Sequence, residues 1–214
     1  MKMYIYLLVA LFGLSSAVNA NGVNVGVSIF GGVFDADGAE KFSGDHVSGA
    51  SADDVTKKTS TEGDDAETAF YFGSLFVEKE LNDVIAVGLD YVPHSMESET
   101  TENIQDDITT STTSTQRTNT TQIDFEDLTT LYVTLTPPDA GGLYLKAGVA
   151  QVDILTKENL GTGGAYGDTN TDAMVLGFGY NKTFDNTLFV RFESVYMDFD
   201  SASVTSGDNT VCLL

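Results

Sequence analysis

The sequence predicts an all-β protein: an antiparallel, up-and-down transmembrane β-barrel of the eight-stranded type whose last strand is short or missing. Three observations lead to this prediction. Six segments alternate apolar with small or polar residues, the connectors between strands are alternately short and long, and the N-terminus has the pattern of an export signal.

The alternation is clearest in the segment 84–91. Its odd positions carry Ile85, Val87, Leu89 and Tyr91, whereas its even positions include Gly88 and Asp90. Because successive side chains of a strand point to opposite faces, one face of this strand is apolar. The same pattern recurs in five further segments, at 22–29, 130–135, 143–150, 174–181 and 188–197.

The apolar faces of these six segments are unusually uniform. Of their 24 positions, 23 are apolar and one is serine, while charged residues fall on the opposite faces. A surface in water would not be so uniformly apolar, and a buried core would not leave charges opposite it without water or partners. This distribution predicts apolar side chains facing lipid and charged side chains facing inward.

A second strand, at about 69–80, is harder to orient. Both of its faces carry aromatic residues, with Phe70, Phe72 and Phe76 on one face and Tyr71 on the other. The sequence predicts a strand here and leaves its register open.

The connectors alternate in length. Asn82–Asp83 and Asp185–Asn186 have the composition of tight turns, and Pro137–Gly142 forms a slightly longer one. The other connectors, at about 35–67, 94–127 and 153–172, are predicted to be long external loops. Short turns on one side and long loops on the other are typical of outer-membrane barrels.

The N-terminus has the features of a signal peptide. Met1–Lys2 is a short positive segment, Tyr4–Leu14 is apolar, and Val18–Asn19–Ala20 offers a small-residue cleavage site. We therefore predict a signal peptide at 1–20 and a barrel domain at 21–214. The only cysteine, Cys212, predicts no internal disulfide, so stability has to come from strand pairing.

The chain is strongly acidic, with 32 acidic and 10 basic residues. Most of the negative charge falls in the three predicted loops, which predicts repulsion of nucleic acid and attraction of cations. Within the second loop, Thr109–Thr121 has ten Ser or Thr in 13 positions, which predicts little fixed structure. We expect these charged loops to keep the surface of the protein solvated. There are two alternative roles for them: binding of divalent cations that bridge lipopolysaccharide, or attachment of a phage or another cell.

Four charged residues occupy the predicted inward faces. Arg191 and Glu193 share one strand, Lys146 lies two strands away, and Asp90 lies further round. Since opposite charges buried in a narrow barrel must pair, we predict an ionic network that fills the lumen. The alternative is a narrow cation-preferring channel whose selectivity these charges set. The sequence has neither a phosphate loop nor zinc-ligand spacing, so it predicts no cofactor and no metal site.

Across residues 21–200 the chain resembles the small outer-membrane β-barrel superfamily of OmpA transmembrane domains, OmpX, OmpW and opacity-type surface proteins. The resemblance rests on the strand and connector architecture. It implies a Gram-negative outer-membrane barrel with a largely filled lumen and a structural or surface-interaction role. It also implies outer-membrane lipids, lipopolysaccharide and the barrel-insertion machinery as partners.

The C-terminal segment departs from that family. After Asp200 only 14 residues remain, without an alternating segment of spanning length, and the chain ends in Leu214 where the family has a terminal aromatic residue. Seven strands would leave an unpaired edge in lipid. We expect either that the last strand is lost or that a short strand near Asn209–Leu214 half-closes the barrel.

Two further alternatives are less favoured. His94 continues the parity of Asp90 at the outer end of its strand, with Ser95 beside it, so a His–Asp pair could serve a lipid A-modifying enzyme or a protease at the rim. A soluble, secreted β-sandwich adhesin is the alternative for the fold. We predict that the protein is not an enzyme.

Overall fold

The computed structural model describes residues 5–9, 16–20, 22–37, 39–41, 65–97, 100–110, 113–159, 166–184, 188–206 and 209–212. Within these ranges all regular structure is β-strand, and every strand pairing is antiparallel. The predicted all-β, antiparallel class is therefore confirmed.

Seven long strands dominate the fold: β3 (Val23–Asp37), β5 (Asp65–Glu80), β6 (Ile85–Tyr91), β9 (Thr113–Leu135), β10 (Leu143–Asn159), β11 (Thr169–Phe184) and β12 (Leu188–Phe199). Seven further strands accompany them: β1 (Ile5–Val9), β2 (Ser16–Ala20), β4 (Ala39–Lys41), β7 (Met96–Glu97), β8 (Thr101–Thr110), β13 (Ser203–Ser206) and β14 (Asn209–Cys212).

The seven long strands form one curled sheet, in the order β12, β11, β10, β9, β6, β5, β3. In a flat sheet β12 and β5 would be five strand spacings apart, about 24 Å. Instead Arg191 on β12 and Glu78 on β5 form a salt bridge of 3.0 Å across the concave side. The sheet therefore bends until its two ends lie close together.

The two faces of the curled sheet have opposite chemistry. None of the 24 positions on the predicted apolar faces is buried, and 17 of them are exposed. The charged side chains Asp90, Lys146, Arg191 and Glu193 are buried on the concave side. The predicted division of these strands into an apolar outward face and a charge-bearing inward face is confirmed.

The structure also settles the register of β5. Phe72, Ser74, Phe76 and Glu78 are buried, while the alternating residues, such as Leu75, are exposed. The even positions of this strand therefore face inward, and Glu78 joins the concave side.

Tight connections lie at one end of the sheet, which we call the turn end; the opposite end is the loop end. Residues 81–84 join β5 to β6, and the side-chain oxygen of Asn82 accepts hydrogen bonds from the backbone N–H groups of Val84 and Ile85, both 2.9 Å. Residues 136–142 join β9 to β10, with Asp139, Gly141 and Gly142 at positive φ. The predicted turn at Asp185–Asn186 lies outside the described residues.

At the loop end the strands are longer than predicted. The expectation of little fixed structure at Thr109–Thr121 is wrong for the described residues of that segment, because β8 pairs with β9 from Thr101↔Thr121 to Thr110↔Thr113. The connector predicted at 94–127 is thus largely a long hairpin, built from residues whose β-branched side chains favour extended backbone. Strands also extend into the connectors predicted at 35–67 and 153–172, as far as Asp37 and Asn159.

The C-terminal tail does not join the main sheet. β14 pairs with β13 and with β4, forming a separate three-stranded sheet. The expectation that a strand near Asn209–Leu214 half-closes the barrel is therefore wrong for the described residues. The partners of the tail, β4 and β13, are short strands. Pairing with them requires neither an alternating sequence nor a membrane-spanning length in the tail.

The N-terminal segment lies between the two outermost long strands. β2 pairs with β3 over five residues and with β12 at Leu188↔Val18 and Phe189↔Ala17. β1 pairs with the other end of β12, from Ile5↔Phe199 to Val9↔Val195. β1 and β2, which belong to the segment predicted as a signal peptide, thus lie next to the edges of β3 and β12.

Candidate functional site: the layered interior of the curled sheet

The concave side of the sheet is divided into two layers. Nearer the turn end is an ionic layer, defined by the five buried charged side chains Glu78, Asp90, Lys146, Arg191 and Glu193. Nearer the loop end is an apolar layer, formed by the buried residues Phe30, Phe72, Val92, Leu128, Ala150, Val152, Ala173, Val175, Val195 and Met197.

Arg191 and Glu78 form the central contact of the ionic layer. The two terminal nitrogens of Arg191 donate to the two carboxylate oxygens of Glu78, at 3.0 and 3.1 Å. The Asn24 side-chain amide donates a further, longer bond to Glu78 at 3.4 Å. A two-pronged guanidinium–carboxylate pair is both strong and specific in geometry, so it fixes β12 relative to β5.

Aromatic rings enclose the Arg191 guanidinium. Its central carbon lies 4.9 Å from the ring centroid of Tyr144, 5.0 Å from that of Phe189 and 5.8 Å from that of Phe76. Such ring faces attract a desolvated cation. The rings therefore compensate part of the cost of removing this charge from water.

A second ion pair lies beside the first. The Lys146 ammonium donates to Glu193 at 2.8 Å, and the Tyr144 hydroxyl donates to the same carboxylate at 2.6 Å. The Lys146 nitrogen also lies 4.1 Å from the ring centroid of Tyr132. Both charges of this pair are thus hydrogen-bonded within the layer, as buried ions require.

Within the ionic layer, Asp90 is bonded to a neutral donor and not to a cation. Its carboxylate accepts a hydrogen bond of 3.1 Å from the Ser74 hydroxyl. The ionic layer as defined holds three carboxylates and two cations, and both cations are bonded to Glu78 and Glu193. Asp90 is therefore the carboxylate of this layer without a direct cationic partner.

The structure brings all four sequence-predicted residues into the ionic layer and adds Glu78, which the sequence analysis missed. The predicted strand at 69–80 had an ambiguous register because aromatic residues occupy both faces. Leu75 and Val77 at odd positions, against Ser74 and Glu78 at even ones, were the signal that could have placed Glu78 inward.

The apolar layer was also missed. The sequence analysis expected the inward faces to be small or polar, yet Val195 and Met197 continue the inward parity of Arg191 and are buried. Near them Phe30 and Phe72 meet with ring centroids 5.2 Å apart. The inward face of one strand therefore changes from charged to apolar along its length.

The interior is closely packed. A cavity of about 10 Å³, space for about one water molecule, lies within the ionic layer and is bordered by Phe30 of the apolar layer. It is lined by Ser28, Phe30, Phe76, Asp90, Tyr132, Lys146, Arg191 and Glu193. A space of this size cannot hold an organic ligand.

The predicted His94–Asp90 pair has other partners in the structure. Asp90 is buried and bonded to Ser74, whereas His94 is exposed and its Nε2 accepts a hydrogen bond from the Gly73 backbone N–H at 3.3 Å. The rim arrangement that could have positioned a catalytic base is thus not formed by these two residues.

A separate ion pair lies towards the loop end. Asp124 on β9 is fully buried, and its carboxylate contacts the Lys157 ammonium on β10, which is half exposed. The contact with Asp124 raises the pKa of Lys157. Because a buried carboxylate needs a counter-charge, this pair ties the extension of β9 to that of β10.

Within the described ranges, no group of three or more His, Cys, Asp or Glu side chains is arranged to hold a metal ion. The same ranges contain no helix long and apolar enough to cross a membrane. Neither a protein-family model nor a curated protein nor a solved structure matches this chain.

Proposed function

We propose that this protein is a β-barrel of the bacterial outer membrane with a structural or surface-interaction role and a largely filled lumen. It belongs, on this proposal, with the small outer-membrane barrels that its sequence resembles. The apolar N-terminal segment directs its export across the inner membrane. Outer-membrane lipids, lipopolysaccharide and the barrel-insertion machinery are then its partners.

One observation carries the proposal: the sheet is apolar outside and charged inside. Leu131, Leu145, Met174 and Phe178 each expose more than half of their surface, on neighbouring strands. Soluble proteins rarely expose a large contiguous apolar patch, and a band of this kind marks a membrane contact. Ion pairs on the opposite face are the inversion expected when lipid lies outside.

The curl of the sheet supports a closed barrel. The Arg191–Glu78 salt bridge and the Phe76–Phe189 ring contact, with centroids 6.2 Å apart, join strands from opposite ends of the seven-strand order. A spanning sheet must satisfy all backbone groups, and closure is how sheets achieve this in lipid. An eight-stranded barrel needs one further strand beside β3 and β12.

The packed interior favours a structural role over a channel. Conduction needs a continuous polar path, whereas here the ionic layer is followed by an apolar layer and the cavity within the ionic layer holds about one water. The charges Lys146 and Glu193 are engaged with each other. We therefore assign them to holding the barrel together and not to ion selectivity.

On this proposal, the loop end is the part of the protein that contacts partners at the cell surface. The connectors there carry most of the negative charge, so nucleic acid is not a partner, and a cell-surface or phage partner would meet acidic tips first. Divalent cations that bridge lipopolysaccharide are the chemical group best suited to link these tips to the surrounding membrane.

The proposal is tested by placing a charge in the apolar band. Leu176 on β11 is 54% exposed and would lie in lipid. An arginine at the bilayer midplane costs about 2–4 kcal/mol in an outer-membrane barrel. We expect Leu176→Arg, in the full chain refolded into lipid vesicles, to lower the free energy of unfolding by that amount and to reduce flotation with the vesicles.

The matched control is Asn170→Arg on the same strand and the same face. Asn170 is exposed and lies six residues, about 20 Å, nearer the loop end. We expect it to change stability by no more than about 0.5 kcal/mol, as surface substitutions do. Equal effects of the two substitutions, or full solubility of the parent chain without detergent or lipid, would reject the membrane proposal.

A further inference from the structure

The edges of β3 and β12 that face away from the other long strands define a seam. β2 enters this seam with a register that runs from Ser16↔Val27 to Ala20↔Val23 on β3, and it reaches β12 at Leu188↔Val18. β1 enters the same seam at the loop end, where Ile5 pairs with Phe199. Both segments are antiparallel to the strands that they meet.

An empty seam would be costly in a bilayer. Along the 12 residues of β12, about half of the backbone N–H and C=O groups point towards the seam. Each of these groups costs several kcal/mol when it is left unsatisfied in hydrocarbon. The barrel therefore needs an extended segment of roughly this length between β12 and β3.

The residues of β1 and β2 match the two layers of the interior along their register. Leu7 and Val9 lie opposite Met197 and Val195, which are buried in the apolar layer. The polar position Asn19 instead lies opposite Asn24, which is bonded to Glu78 beside the ionic layer. The change from apolar to polar along this segment follows the same direction as the change along the neighbouring strands.

We infer that β1 and β2 together occupy the closing position of the barrel and stay attached to the folded chain. The seam is then an acceptor for an extended, mostly apolar strand, and this chain supplies it from its own N-terminus. The inference rests on the proposed membrane barrel. It differs from the sequence-based prediction of cleavage after Ala20, since cleavage there would remove the strand that fills the seam.

Disulfide trapping in the full chain tests the seam. In a Cys212→Ser background, Leu7→Cys with Met197→Cys joins one directly paired position, and Val18→Cys with Leu188→Cys joins another. Directly paired residues lie about 4.5–5.5 Å apart between Cα atoms, within the range of a disulfide. We expect both pairs to oxidise in lipid vesicles.

Two controls make the result specific. Leu7→Cys with Val195→Cys is two residues out of register, at about 7–8 Å, and should cross-link about tenfold less than the paired positions. Leu135→Cys with Leu145→Cys joins paired, outward-facing positions of β9 and β10, so it reports whether the main sheet has formed.

The outcomes separate the seam from the membrane proposal. If the β9–β10 control oxidises in vesicles and the two seam pairs do not, the seam assignment is wrong while the membrane barrel stands. If the control fails as well and the chain does not float with vesicles, both are overturned. In a Gram-negative host, an intact mass beginning at Met1 in the folded membrane fraction supports retention, whereas a chain beginning at Asn21 overturns it.

Discussion

The Arg191–Glu78 salt bridge gives the strongest single test of the interior. Glu78→Gln keeps the shape of the side chain and removes its charge. The two partners are 8% and 3% exposed and share two hydrogen bonds of 3.0 and 3.1 Å. Removing one partner of a buried pair leaves an uncompensated charge, which costs about 3–5 kcal/mol.

The double variant Glu78→Met with Arg191→Met separates pairing from packing. It replaces both charges by apolar groups, and such replacements are often neutral or stabilising. We therefore expect it to be more stable than Glu78→Gln. With the single variants Glu78→Met and Arg191→Met completing the cycle, we expect a coupling energy of at least about 2 kcal/mol between the two positions.

The assay is urea unfolding of the refolded full chain in detergent micelles, with the free energy taken from the midpoint and slope. The Lys146–Glu193 pair, which lies alongside, is left intact as an internal reference. A cost below about 1 kcal/mol for Glu78→Gln, or strictly additive effects in the double variant, would refute the reasoning. Such values are typical of ion pairs in water, and they would indicate a hydrated lumen.

Three further predictions follow from individual contacts. Asp90 has a hydroxyl donor and no direct cation in its layer, so Asp90→Asn should cost less than about 1 kcal/mol in the same urea assay. A Cβ at Gly88 would lie 2.3 Å from a buried tyrosine ring, so Gly88→Ala should cost about 1–3 kcal/mol, whereas Gly167→Ala, where the space is open, should not. Because its folded pKa is raised, Lys157 stabilises the fold below its unfolded pKa, and this contribution disappears as pH rises through the folded value. Proteolysis of the β9–β10 extension should thus be faster in Lys157→Gln than in the parent chain at neutral pH, and the two rates should be equal at strongly alkaline pH. A difference in rate that persists at alkaline pH would contradict a role for the Lys157 charge.

The orientation of the strands could be predicted from the sequence because it is a local property. Val25, Val27 and Ile29 alternate with Asn24 and small residues, and a period of two assigns the faces of a strand without any knowledge of its neighbours. The same reasoning placed the four charged residues of the interior on inward faces.

Partners across the sheet could not be predicted in that way. Arg191 and Glu78 are 113 positions apart, and their contact depends on the curl of the whole sheet. Parity places Lys146 and Glu193 inward but does not say that the ammonium reaches this carboxylate rather than Asp90. These pairings depend on the order of the strands and on the position of each residue along its strand, and the alternation of residues encodes neither.

The hairpin at the loop end was missed for a different reason. Its residues lack an apolar face, so hydrophobic periodicity predicted little fixed structure at Thr109–Thr121. The signal that was present is the β-propensity of threonine, which favours extended backbone without an apolar face in the sequence. Backbone pairing between β8 and β9 then orders the hairpin.

The length of β9 has an electrostatic consequence. Its 23 residues span about 76 Å at 3.3 Å per residue, more than twice the roughly 30 Å hydrocarbon thickness of a bilayer. Even with a barrel tilt near 40°, the tip of the β8–β9 hairpin would stand some 25–30 Å beyond the hydrocarbon core. The tip itself is rich in Ser and Thr, and the nearest acidic residues, Asp106 and Asp107, pair with Gln116 and Thr115 about 20 Å beyond the core. That is about two and a half Debye lengths at physiological salt, so these carboxylates and an anionic membrane surface would scarcely repel each other. At that distance the hairpin could carry its negative charge above an equally negative surface without bound cations, whereas acidic residues closer to the bilayer would need them.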